Sequence, residues 1–221
     1  MKQPGLSVVR GLVLMLCFAI LYPVQAGVVA VDSSTAALEK RLSSWDNFEA
    51  NFTQNIYGDT EELVDSVSGK VYLKKPGKLR WEVNSKDKSL IVSDGKKIWH
   101  YDPELQQATV DAFDVTGTSP LLFLSTKTQE LGKHFVVKAV SSQLCGRQAD
   151  SCFEMTPHQA DEMFQWIRVG FAKEALTGLE FFDQLGQHGW ITFKEMKVNK
   201  PMSESLFDFI PPKGTDVVRR S

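Results

Sequence analysis

The sequence predicts a mainly β fold with a few helices (α+β): an open, incomplete antiparallel β-barrel covered by a helical lid. Three observations lead there. From Val67 to Val110 apolar side chains recur at every second position, as in Val71 and Leu73, then Leu79, Trp81 and Val83, then Leu90 and Val92. That period points alternate residues to opposite faces of a sheet. The runs are joined by turn chemistry with no helix between them: Lys75-Pro76-Gly77-Lys78 suits a type II turn, and Asp94-Gly95 is a strong hairpin signal. Counted along the whole chain, about nine to eleven strands are expected, more than a small closed barrel needs to fill itself with side chains.

The N-terminus reads as an export signal. Lys2 and Arg10 mark a basic region, Gly11 to Leu21 is apolar, and Val24-Gln25-Ala26 places small residues where signal peptidase cuts. The apolar run is shorter than the roughly 20 residues that cross a bilayer. Cys17 raises the alternative of a lipoprotein signal, but Leu16 before it is not the small residue such a site needs. The expected domains are a cleaved Sec signal peptide over 1–26 and a single domain over 27–221. Without Lys2 and Arg10, 23 basic residues face 27 acidic ones. A mildly acidic chain offers no electrostatic case for nucleic acid.

In the mature chain, Asp32 to Ser34 offer helix caps, and Leu38, Leu42 and Trp45 then recur at i, i+4 and i+7 as one apolar stripe. The period changes to two at Phe48, Ala50, Phe52, Gln54 and Ile56, so a strand follows almost directly. Beyond the meander, Thr116-Gly117-Thr118 breaks the last strand, and Ser119-Pro120 opens a short helix whose residues Leu121, Leu122, Phe123 and Leu124 are apolar on every side. Such a helix is either a buried core plug or a hydrophobic lid. Cys145 and Cys152, an even pair between strand-like flanks, are expected to form a disulfide closing the end of a hairpin. Phe164 and Trp166 fall out of phase with Ile167, Val169 and Phe171, as at a bulge. Leu179 to Asp183 and Trp190 to Val198 form a further hairpin, Ser203 to Phe207 a helical turn, and Phe209-Ile210-Pro211-Pro212 is expected to end the fold.

Catalytic signatures are not found. His100, His134, His158 and His188 are dispersed, and no HExxH, GxSxG, phosphate loop or GxGxxG occurs. Neither an enzyme, a cofactor nor a metal site is expected. The surplus lies in apolar side chains, with 14 Phe and 5 Trp. They make either an aromatic-rich core or a lined but unfilled cavity of the kind that takes lipid.

Lys74-Lys75-Pro76-Gly77-Lys78-Leu79-Arg80-Trp81-Glu82, then Val92-Ser93-Asp94-Gly95-Lys96-Lys97-Ile98-Trp99-His100-Tyr101-Asp102-Pro103, then Gln107-Ala108-Thr109, together resemble the signature of the periplasmic outer-membrane lipoprotein carrier (LolA) family. The resemblance extends weakly from Leu38 to Gly214. It implies a half-barrel with a lid and a location in the periplasm. It also implies a monomeric carrier that holds the acyl chains of lipoproteins between an inner-membrane ABC-type releasing complex and an outer-membrane receptor. The alternative is a periplasmic apolar-ligand-binding or protein-interaction module of the same fold without transfer. Leu42, Trp45, Phe52, Trp81, Val92, Leu121, Leu122 and Leu124 are expected to line one acyl-chain cavity. Lys75 stands where the family usually has an arginine that latches the lid to backbone carbonyls, here expected near Leu42 and Leu124.

Overall fold

The computed structural model describes residues 33–58, 60–114, 119–159 and 163–219. The expected signal peptide, the Asp32 cap and the Thr116-Gly117-Thr118 break lie outside them. Helix α1 (Ser33–Leu42) leads into β1 (Asn47–Tyr57) and the meander β2 (Leu63–Lys74), β3 (Lys78–Val83), β4 (Ser89–Asp94), β5 (Lys97–Asp102) and β6 (Gln107–Ala112). Two one-turn helices, α2 (Leu122–Ser125) and α3 (Leu131–His134), precede β7 (Phe135–Val140), β8 (Ser151–Pro157), β9 (Phe164–Ala172), β10 (Ala175–Asp183) and β11 (His188–Val198). A 3₁₀ turn over Glu204–Phe207 and a last strand, β12 (Asp216–Arg219), complete the described chain.

The twelve strands form one sheet in the order β12-β6-β5-β4-β3-β2-β1-β11-β10-β9-β8-β7. Neighbours are antiparallel except β12, which runs parallel to β6. β7 and β12 are the free edges, so the barrel stays open. β12 is the strand that sequence reading omits: its four residues, Asp-Val-Val-Arg, are all exposed and carry no alternation. The bulge in β9 is present, because Trp166 faces Phe182 while Phe164 faces Asp183, leaving Gln165 as the extra residue.

Two local expectations are corrected. Trp45 lies beyond α1, which stops at Leu42 because the Ser43 and Ser44 hydroxyls turn back and donate to the carbonyls of Lys40 (2.8 Å) and Arg41 (2.7 Å). The β2–β3 connection is a three-residue loop closed by Lys74 pairing with Lys78 rather than a turn closed between Lys75 and Lys78; its Lys75–Pro76 bond is cis, and Gly77 has the positive φ (74°) expected of it. The loop's amides serve tertiary contacts instead, Lys75 N–H donating to Asp46 O (2.8 Å) and Gly77 N–H to Ser125 O (2.7 Å).

The inner face of the sheet and the helices share one core, which includes Phe48, Phe52, Leu73, Trp81, Val169 and Phe171. The backbone is approached closely at Gly69 on β2, where a Cβ would meet Glu82 O at 1.7 Å and the ring of Phe52 at 3.0 Å. The Phe52 ring stacks on Trp81 with centroids 3.3 Å apart, so this aromatic pair occupies the space above the bare glycine. On the outer face Cys145 and Cys152 are joined, with Cα atoms 5.7 Å apart. Their loop lies over Gly170, whose missing side chain makes room for Cys145 Cβ. Replacing both cysteines with serine is expected to lower stability by about 2–3 kcal/mol, since the loop closed is short. Urea midpoints of the oxidised protein and the double variant measure it, and equal midpoints would contradict it.

Candidate functional site

The site is built where the helices lie across the inner face. α1 packs on β7 and α3, while α2 packs on β2 and β3. Leu121, Leu122, Phe123 and Leu124 are each at most 1% exposed, so all sides of this apolar turn are covered. Ser119 shapes its start, accepting at its hydroxyl from Leu121 N–H (3.3 Å) and at its carbonyl from Leu122 N–H (3.1 Å). Beside this turn a cleft of about 560 Å³ opens, with an apolar floor that includes Val67, Trp81, Val83, Ile91, Leu121 and Ile191. Exposed charged side chains, Asp65, Asp87, Lys88 and Glu104, also line it.

The β2–β3 loop clasps both helical pieces. Lys75 Nζ donates to Leu42 O, the last carbonyl of α1, and to Trp45 O at 3.0 Å. An ammonium at a helix C-terminus meets carbonyls that lack intrahelical donors and the negative end of the helix dipole. Lys75 Nζ also lies 3.7 Å from the centre of the Trp45 ring. Two residues later, Gly77 N–H holds Ser125 at the end of α2. The α2 side is therefore held by a backbone amide and the α1 side by the lysine.

The family model for "Outer membrane lipoprotein carrier protein LolA" matches residues 43–210. The chain belongs to the LolA family. An outer-membrane lipoprotein carrier protein of Dechloromonas aromatica is 34% identical over 214 residues, spanning 96% of this chain and 98% of that protein. One of Legionella pneumophila is 35% identical over 204 residues, spanning 92% and 98%. A crystal structure of an uncharacterized conserved protein from Thermus thermophilus shares the fold, with a TM-score of 0.51 and 15% identity over 85% of this chain and 99% of that one. LolA-family proteins are carriers rather than enzymes.

Within this LolA-family fold, seven of the eight expected cavity residues, Leu42, Trp45, Phe52, Trp81, Leu121, Leu122 and Leu124, fall in one buried cluster. Only Trp81 and Leu121 of them border the cleft, the other five being packed against their neighbours. Val92 is a correction. It is buried but faces the other side of the sheet, paired with Arg80 and Trp99, while Ile91 occupies the inner position opposite Trp81. The alternation misleads here because both faces of the meander are covered. The Glu204–Phe207 turn packs on the outside of β3 and β4, Arg80 Nη1 donates to Leu206 O (3.2 Å), and Phe209 lies against Trp99 and Tyr101. Gly77 and Ile91 are the contributors that sequence reading passes over, the first because a turn glycine gives no hint of its amide's tertiary partner.

Burial is the larger influence on Lys75 and pulls its pKa from 10.5 down to about 8, partly opposed by the Asp46 carboxylate. A folded-state pKa below the unfolded one means that the cost of the buried charge is fully present below about pH 8. It is relieved as pH rises from about 8 towards 10.5, where the unfolded chain still holds the proton. Relative to Lys75→Arg, which stays charged, the wild type should therefore gain stability as pH rises from about 8 towards 10.5. Paired denaturation curves test this, and a difference that does not move with pH would contradict it.

Proposed function

We propose that this protein is a soluble periplasmic carrier, exported by a cleaved signal over 1–26, that holds the acyl chains of lipoproteins against the inner face of the half-barrel. It would receive them from an inner-membrane ABC-type complex and deliver them to an outer-membrane receptor. The observation that supports this most is the pairing of an open, apolar-lined sheet with an all-apolar helical turn that only a few polar contacts hold in place. Each CH₂ removed from water contributes roughly 0.8 kcal/mol, so long acyl chains need cover throughout transit. The closed cleft is too small for several of them, and Leu121 to Leu124 withdraw so that Leu42, Trp45, Phe52 and Trp81 line an enlarged cavity. Lys75 is the latch of the closed state. Its grip is moderated by the cost of burying its charge, which suits a carrier that must open for loading. Because the cavity is apolar and non-directional, hand-over breaks no specific polar bond, and the carrier itself needs no nucleotide.

The experiment is release of a radiolabelled lipoprotein from inner-membrane vesicles, with ATP, into the soluble fraction. A soluble complex of lipoprotein with this protein is the expected product. Lipoprotein that stays in the membrane would overturn the carrier reading and leave a binding module without transfer.

A further inference from the structure

We propose that Trp45 is a positioning residue of the latch: its indole face is the third partner of the Lys75 ammonium and holds it over the end of α1. The proposal rests on the latch reading of Lys75 given above.

An ammonium has three N–H donors and no acceptor. Two of them reach Leu42 O and Trp45 O, and the ring of Trp45, 3.7 Å from Nζ, takes the remaining side. Indole is the strongest π partner for a cation among the side chains, and the interaction grows when water is excluded. Trp45 is only 3% exposed. The same residue thus supplies a carbonyl and a face, so the clasp forms as one unit when the chain after α1 settles on the β2–β3 loop.

Trp45 Nε1 is buried and has no hydrogen-bond partner among the described residues. Burying an indole N–H unpaired is unfavourable, and phenylalanine or leucine would fill the space without that cost. The N–H is therefore not what this position exploits. The ring meets Phe48 in a T-shaped pair, with centroids 5.0 Å apart and planes at 86°, while the Lys75 ammonium lies over its face. This matters for a lysine in particular. An arginine brings five donors in a rigid fork to a group of carbonyls, whereas the compact ammonium would have one donor left over in a half-buried site.

The test is a double-mutant cycle on the purified full chain without cargo, read by hydrogen exchange of the peptide containing residues 39–44 at the end of α1. With Lys75 present, Trp45→Leu should lower protection of that peptide by roughly three- to thirty-fold, the range expected for a desolvated cation–π contact. Trp45→Phe, which keeps a weaker face, should lower it less. In a Lys75→Leu background both Trp45 substitutions should change protection by less than about twofold, because the cation is gone. Equal losses with and without Lys75 would overturn the proposal and reduce Trp45 to packing. If Trp45→Leu does not fold, Trp45→Phe runs the same cycle with the same two outcomes. Since no lipoprotein is present, the result is independent of whether the protein carries one.

Discussion

Lys75→Leu should open the lid and cut lipoprotein transfer at least tenfold. Leucine removes the buried charge and therefore the cost of burying it, but that gain is outweighed. The substitution strips the donor from Leu42 O and Trp45 O, and a buried acceptor left without its partner costs about 1–3 kcal/mol. It also removes the cation from the C-terminal end of α1. A net loss of only about 1.4 kcal/mol shifts the closed–open balance tenfold. On the proposed carrier reading, an opened lid should still take lipoprotein from the inner membrane but lack the drive to close and expel it. Release from inner-membrane vesicles should then survive, with cargo trapped before transfer to the acceptor membrane. Lys75→Arg should be neutral or favour closure by around 1 kcal/mol, since the fork reaches the same carbonyls. Unchanged release and transfer in Lys75→Leu would return this residue to an ordinary strand end.

Phe48→Ala is expected to be the most damaging substitution for stability. Phe48 is fully buried on β1, near the middle of the sheet, with its ring edge-to-face against Trp45 and Phe193. It joins the sheet to the residue that faces the latch. Truncating a buried phenylalanine costs about 3–5 kcal/mol through lost transfer energy and an unfilled cavity. That is a large share of the roughly 5–15 kcal/mol that holds a domain folded. Denaturant unfolding measures it, and a loss under about 1 kcal/mol would mean that the core around Phe48 is not packed as described.

Much of the fold was legible in the sequence because it is written in local periods. The alternation of Phe48, Ala50 and Phe52, the Asp94-Gly95 turn and the all-apolar Leu121 to Leu124 each dictate an element without reference to anything distant. Leu42, Trp45, Phe52, Trp81, Leu121, Leu122 and Leu124 share one core because period-two and helical stripes point where their elements pack. What failed depends on tertiary cover. Val92 reads as an inner residue only if the outer face is wet, and the segment around Phe207 and Phe209 keeps it dry. α1 stops short of Trp45 because serine hydroxyls take its last carbonyls, a choice the apolar stripe does not reveal. The Lys75–Gly77 loop departs from an ordinary turn because its amides are claimed by Asp46 and Ser125, each far along the chain. β12 escapes because a four-residue exposed strand has no pattern to read.

On the proposed reading acyl chains lie on the inner face of the sheet, where photo-crosslinking can locate them. A photoreactive phenylalanine analogue is placed at Trp81, at Ile91 or at Lys70, the last on an exposed outer position of β2. Each variant is then loaded with lipoprotein whose acyl chains carry a label. Labelled adducts are expected from Trp81 and Ile91 and none from Lys70. Adducts from Lys70 alone, or equal yields from all three, would contradict that reading.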